Sequence, residues 1–192
     1  MKLINVWKHF STITRHRWKV RSGCFKVGLI WQGLTHDLSK YSPSEFWVGA
    51  KYYQGTRSPN NAEREDRGYS SAWLHHKGRN KHHYEYWIDY NSHVSRDTDG
   101  VMVPVPMPDR YIAEMIMDRI AASKVYRGKD YVDSDPRDYY WKGTQNAPLH
   151  DYTRSTLLKY LDMLADEGEE KTFKAIKNDL VKKKKDTKLM HE

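Results

Sequence analysis

A chain of 192 residues is long enough to bury one hydrophobic core without disulfide or metal staples. Aromatic residues make up 13% of it, with 7 Trp and 14 Tyr, which excludes a disordered chain, and the single cysteine, Cys24, excludes an intramolecular disulfide and a thiolate-rich zinc site. Of the net charge of +8, residues 171–192 carry +5 through eight lysines, so the run Lys182 to Lys185 reads first as a solvated helix end or frayed tail and second as a polyanion contact. The opening residues show no continuous apolar leader and no stretch has the length of a membrane span, so we expect a cytoplasmic protein with no membrane partner.

In chain order, Leu3, Val6, Trp7, Phe10, Ile13, Val20 and Cys24 recur at helical spacing, with His16 on the same stripe, and predict a first helix ending near Gly28. "LIWQGLTHDLSK" then reads as a short turn into a second helix carrying His36 and Asp37. "SPSEFW" has Ser42 as N-cap, Pro43 at the first helical position and Glu45 closing a capping box. "GTRSPNNAERED" is rich in breakers and charge and predicts a surface loop. A helix follows at about Tyr69–Lys77, with Gly78 as its stop and Asn80 as N-cap of the next helix.

The three prolines of "VPVPMP" impose extended geometry before a strong helix over 109–128, whose face Tyr111, Met115, Asp118, Ala122, Val125 sets a carboxylate among apolar residues. A Tyr/Asp-rich loop is expected from Lys129 to about Asp151, then two helices hinged at Gly168. The fold class is all-α: one compact helical domain over residues 1–150, with residues 151–192 as a C-terminal helical extension of the same globular unit.

Four segments thus offer nitrogen and carboxylate ligands: His16, the His36–Asp37 pair, the block His75, His76, His82, His83, and Asp118. Without thiolate, such a set suits manganese, iron, zinc, nickel or cobalt. Neighbours on a helix point about 100° apart, so His36 and Asp37 grip one ion only near a helix end, with partners from elsewhere. By the same reasoning one histidine of each pair is expected to serve, His76 and His83. At a helix start capped by Asn80, Arg79, Lys81 and His82 form an anion site. His9, His93, His150 and His191 read as surface or structural, and Trp73, Tyr84 and Trp87 as core.

"HDLSK" at 36–40 resembles the signature of the HD-domain metal-dependent phosphohydrolases. The resemblance implies an HD-like helix bundle in which His16, His36, Asp37 and Asp118 hold the catalytic ion and Lys40 contacts phosphate. The HD-x-x-K form with a downstream double histidine is similar to the branch acting on cyclic dinucleotides, and implies that the histidine block supplies a second metal or a phosphate clamp. "WQGLTHDLSKYSPSEFW" and "AWLHHKGRNKHHYEYW" also resemble a small uncharacterised family of bacterial and phage proteins, over roughly residues 10–130.

The expectation is therefore a divalent-metal phosphohydrolase acting on a nucleotide or another phosphate-containing small molecule. Lys40 and Glu85 are its candidate catalytic groups, Glu85 as a base. The alternatives are a non-enzymatic nucleic-acid-associated binding protein, whose histidine block and lysine tail contact phosphates without a metal, and an HD-like scaffold with a structural metal only.

Overall fold

The computed structural model describes residues 2–91 and 102–182. The expectations for His93, His191 and most of the lysine-rich tail lie outside them. Eight α-helices carry the described chain: α1 (Leu3–Val27), α2 (Ile30–Thr35), α3 (Pro43–Lys51), α4 (Pro59–Arg67), α5 (Ser71–Lys77), α6 (Asp109–Arg127), α7 (Asp135–Gly143) and α8 (Asp151–Ile176). A two-stranded antiparallel ribbon, β1 (Ile88–Tyr90) with β2 (Met102–Pro104), pairs Asp89 with Val103. The all-α class holds.

The core lies where α1, α6 and α8 meet. Val20, Cys24 and Val27 of α1, Ile112, Ala113, Met115, Ile116 and Met117 of α6, and Leu157, Leu161 and Leu164 of α8 are buried together in one cluster. The buried line of α1 is His9, Ile13, His16, Val20, Cys24, Val27. Leu3, Trp7 and Phe10, expected on that stripe, face solvent instead. Gly28 ends α1 in the left-handed conformation, where it lacks a Cβ that would clash. Gly168 breaks the helical dihedrals of α8 at the expected hinge.

Several boundaries differ from the sequence reading, each for a local reason. Residues 58–67 are helical because Ser58-Pro59 is a helix start with proline at the first position, and no loop forms there. Ser134-Asp135-Pro136 likewise opens α7 inside the expected 129–151 loop. At α3 the Ser42 side chain makes no capping bond, and Glu45 turns into the interior. No helix starts at Asn80; its amide is engaged by Ser39 Oγ and the His76 carbonyl, and only a 3-10 turn, Tyr84–Trp87, follows.

The "HD" pair also lies off any helix. α2 ends at Thr35, His36 is its C-cap, and Asp37 sits in the left-handed region at φ 53 before a 3-10 turn, Leu38–Tyr41. Aspartate tolerates that conformation better than most residues. Arg17 of α1 fixes the corner, donating from Nε to the His36 carbonyl at 2.7 Å and from a terminal nitrogen to the Leu34 carbonyl at 3.1 Å. The last carbonyls of α2 are thereby satisfied, and the pair is tied to the helix that carries His16.

Candidate metal centre

His16 (α1), Asp118 (α6) and the His36–Asp37 corner converge. His16 Nε2 lies 2.9 Å from Asp118 Oδ1 and 3.6 Å from Asp37 Oδ2, and His36 Nε2 lies 3.2 Å from Asp37 Oδ2 and 3.5 Å from Asp118 Oδ1. On the other side of Asp37, His76 Nε2 is 3.2 Å and His82 Nε2 3.4 Å from Oδ1. His83 Nε2 completes that side, 2.9 Å from His76 Nε2. Ligand atoms of His16, His36, Asp37 and Asp118 all lie within 4.8 Å of one another, as do those of Asp37, His76, His82 and His83. Metal–ligand bonds of about 2.0 to 2.2 Å place neighbouring ligands about 3 to 4 Å apart, the spacing seen on both sides.

Asp37 belongs to both sets. Its two carboxylate oxygens face opposite ways, each toward a different group of imidazoles. The donor atoms that point inward are also the ones left unsatisfied: His16 Nε2, His36 Nε2, Asp37 Oδ1 and His82 Nε2 are buried without a hydrogen-bond partner. Their close approaches are thus not aligned hydrogen bonds, and a buried polar atom without a partner costs about 1 to 3 kcal/mol. His76 Nε2 and His83 Nε2 face each other at 2.9 Å, and two ring nitrogens that close require a proton or a cation between them. The chemistry of the donor set fits a pair of borderline divalent ions.

The outward nitrogens of the same rings are held by carboxylates that the sequence reading missed. Glu114 Oε1 lies 2.9 Å from His36 Nδ1 and 3.1 Å from His82 Nδ1. Glu45 takes His75 Nδ1 at 2.6 Å on one oxygen and His76 Nδ1 at 2.7 Å on the other. Ring N–H groups bonded in this way leave the other nitrogen free as a ligand. Glu114 stood four residues before Asp118, on the same helical face, a signal that could have found it. Glu45 carried no such signal, because the capping-box pattern explained it.

Of the buried carboxylates, Asp37 is paired with an ammonium, Lys40, whose Nζ donates to Asp37 Oδ2 at 2.6 Å. Burial would raise the Asp37 pKa, but His36, Lys40 and His76 override it and hold the carboxyl well below its ordinary range. Asp118 is likewise held well below its range, burial being outweighed by His16 and His36. For His36, burial opposes the charge, yet Asp37, with Asp118 and Glu114, raises the pKa well above the imidazole norm. His83 shifts the opposite way: burial, then the charges of His82 and His76, keep it neutral. The cluster is an anionic, buried cage that calls for cations.

The expected residues separate clearly. His16, His36, Asp37, Asp118, His76 and His83 are brought together. His82, expected at a phosphate, is fully buried beside Asp37, so both members of its pair enter the cage; off a helix, neighbours are not forced to diverge. His75 stays outside, bonded to Glu45. Arg79 is exposed and donates to the His75 carbonyl, while Lys81 is exposed over the Tyr86 and Tyr111 rings, so neither joins the cluster and the anion site at Asn80 does not form. Glu85 belongs to none of the ligand groups; its Oε2 is buried without a partner. Tyr84 and Trp87 pack on the core, and Trp73 packs edge-on against His83.

The model of a family of unknown function, DUF5662, matches residues 5–163. No curated protein and no solved structure matches the chain. Among the described residues, no helix is long and apolar enough to cross a membrane.

Proposed function

The chain belongs to the DUF5662 family, a family of unknown function, and from that premise we propose that it is a divalent-metal-dependent phosphohydrolase with a dinuclear centre bridged by Asp37, acting on a nucleotide or phosphodiester. The observation that carries this reading is the position of Asp37, with one carboxylate oxygen facing His16, His36 and Asp118 and the other facing His76 and His82. One ion would be held by His16, His36, Asp37 and Asp118, the other by Asp37, His76, His82 and His83. Divalent ions held there supply Lewis acidity, which draws charge from a phosphoryl oxygen and makes water a nucleophile near neutral pH.

The residues around the cage assign the rest. His36, Asp37, His76 and His82 have side chains 0 to 2% exposed, whereas Asp118 is 18% and Lys40 27% exposed. Substrate therefore approaches past Asp118 and Lys40. The Lys40 ammonium keeps Asp37 ionised through its hydrogen bond, and as a partly exposed cation it would offset charge building on a phosphate.

The test is elemental analysis of the purified chain together with phosphate release from a panel of nucleotides and phosphodiesters. We expect about two ions per chain and turnover in the wild type, and neither in Asp37→Asn, which keeps the backbone preference of the corner. A wild type without metal, or an Asp37→Asn variant with undiminished metal, overturns the reading. Bound metal without turnover on any phosphate ester reduces it to a structural centre.

A further inference from the structure

Resting on the two-ion reading above, we infer that Glu114 is a positioning residue that ties the two metal sites together, so that both ions depend on one outer carboxylate. Glu114 is buried on α6, one turn before Asp118. A single oxygen, Oε1, stands 2.9 Å from His36 Nδ1 and 3.1 Å from His82 Nδ1, and its two lone pairs suffice for both N–H donors. His36 belongs to the group with His16, Asp37 and Asp118, and His82 to the group with Asp37, His76 and His83, while the same two rings also form a third group with Glu114. Their rings lie side by side, 4.3 Å between centroids and 36° apart in plane.

At the far edge of the same two rings, the Nε2 atoms meet opposite oxygens of Asp37, at 3.2 Å for His36 and 3.4 Å for His82. Neither Nε2 has a hydrogen-bond partner. The two imidazoles are thus held between carboxylates at both ends, with Glu114 on the Nδ1 side setting the direction in which both rings present their Nε2 lone pairs. A ring that turns to accept an ion moves the oxygen its neighbour uses. The first ion to bind therefore prepares the ring needed by the second, and the pair is taken up with positive coupling.

Glu45 provides the internal control. It accepts from His75 and His76, and only His76 is a ligand, so its influence reaches one ion alone.

The experiment titrates metal-free protein with cobalt(II), reading the visible absorption of the bound ion and the stoichiometry, for wild type, Glu114→Gln and Glu45→Gln; circular dichroism confirms that each variant is folded. Outer-shell carboxylates are typically worth about 10- to 100-fold in metal affinity. We expect the wild type to take two ions in one step, Glu114→Gln to lose about that factor at both sites and to fill them in separate steps, and Glu45→Gln to weaken one ion only. If Glu114→Gln does not fold, Glu114→Asp, which keeps the charge but shortens the reach, is expected to show the same two-site loss. A wild type that binds two ions while the Glu114 variant loses only one, or none, overturns the tie and leaves the two-ion reading intact. A wild type that binds no cobalt overturns that reading first, and the tie with it.

Discussion

The two sides of Asp37 hold similar ligands by different means. His16 and Asp118 ride on α1 and α6, helices of 25 and 19 residues whose apolar faces form the core. Their positions follow from hydrophobic packing, which is close and resists deformation. His76, His82 and His83 come from the end of the seven-residue α5 and the irregular segment after it, which cannot stand alone as helix. Here buried carboxylates do the positioning: Glu45 holds His76, and Glu63, fully buried on α4, accepts from Ser70 Oγ and Ser71 Oγ, each at 2.6 Å, at the start of α5. One half of the centre is set by oil and the other by polar contacts, so the two should fail under different insults.

The largest effect comes from removing one ligand on each side. His16→Ala and His83→Ala are each expected to lose one of two ions by elemental analysis, and to drop phosphate release to background where both ions are required. If either variant loses both ions, the halves are less separate than their supports suggest.

A carboxylate that supports without ligating gives the next effect. Glu63→Ala leaves the two serine hydroxyls of α5 without their buried acceptor, at a cost of about 3 kcal/mol. Thermal unfolding should show that loss, and metal titration should show the larger weakening on the His76 side, with the His16 side losing only what coupling to its neighbour supplies. Equal weakening of both would erase the distinction.

The smallest effect lies at the seam between the supports. His9 of α1 packs against Gly49 of α3, whose missing side chain leaves room for the imidazole, and against Phe46 and Tyr53. Burial, aided by the charge of Lys40, lowers the His9 pKa from 6.5 to about 4. The unfolded chain binds this proton more readily, so the stability contributed by neutral His9 is complete above pH 6.5, is lost as the pH falls, and is gone below about 4. Between pH 7 and pH 5 the loss is about 2 kcal/mol. Denaturant unfolding of metal-free protein at both pH values should show a pH 7 to 5 loss larger by that increment in the wild type than in His9→Gln.

The same division explains what could be read from sequence. The helices of the packed half were visible because burial imposes a 3.6-residue period, and His16 and Asp118 stood out as polar residues on apolar stripes. The polar half left no such period. His82 and His83 were placed on a helix that does not form, because the asparagine that looked like its cap is occupied by Ser39 and the His76 carbonyl. Glu45 was hidden by a local pattern that fitted it equally well, and α4 and α7 were hidden by prolines that open helices as readily as they break them. Contacts across 30 to 80 residues, such as Glu45 with His76 or Glu114 with His36, have no local signature at all.

Among the described residues, Asp37 is the one non-glycine at positive φ. Two unrelated demands therefore fall on a single position. The corner needs a residue at ease in a left-handed turn, which favours Gly, Asn or Asp, and the cage needs a short carboxylate with both oxygens free to face inward. Glycine meets the first demand and glutamate part of the second. Of the twenty side chains only aspartate meets both, so under the proposed function position 37 has no backup: a change tolerable to the fold is expected to silence the chemistry, and one that keeps the charge to strain the turn.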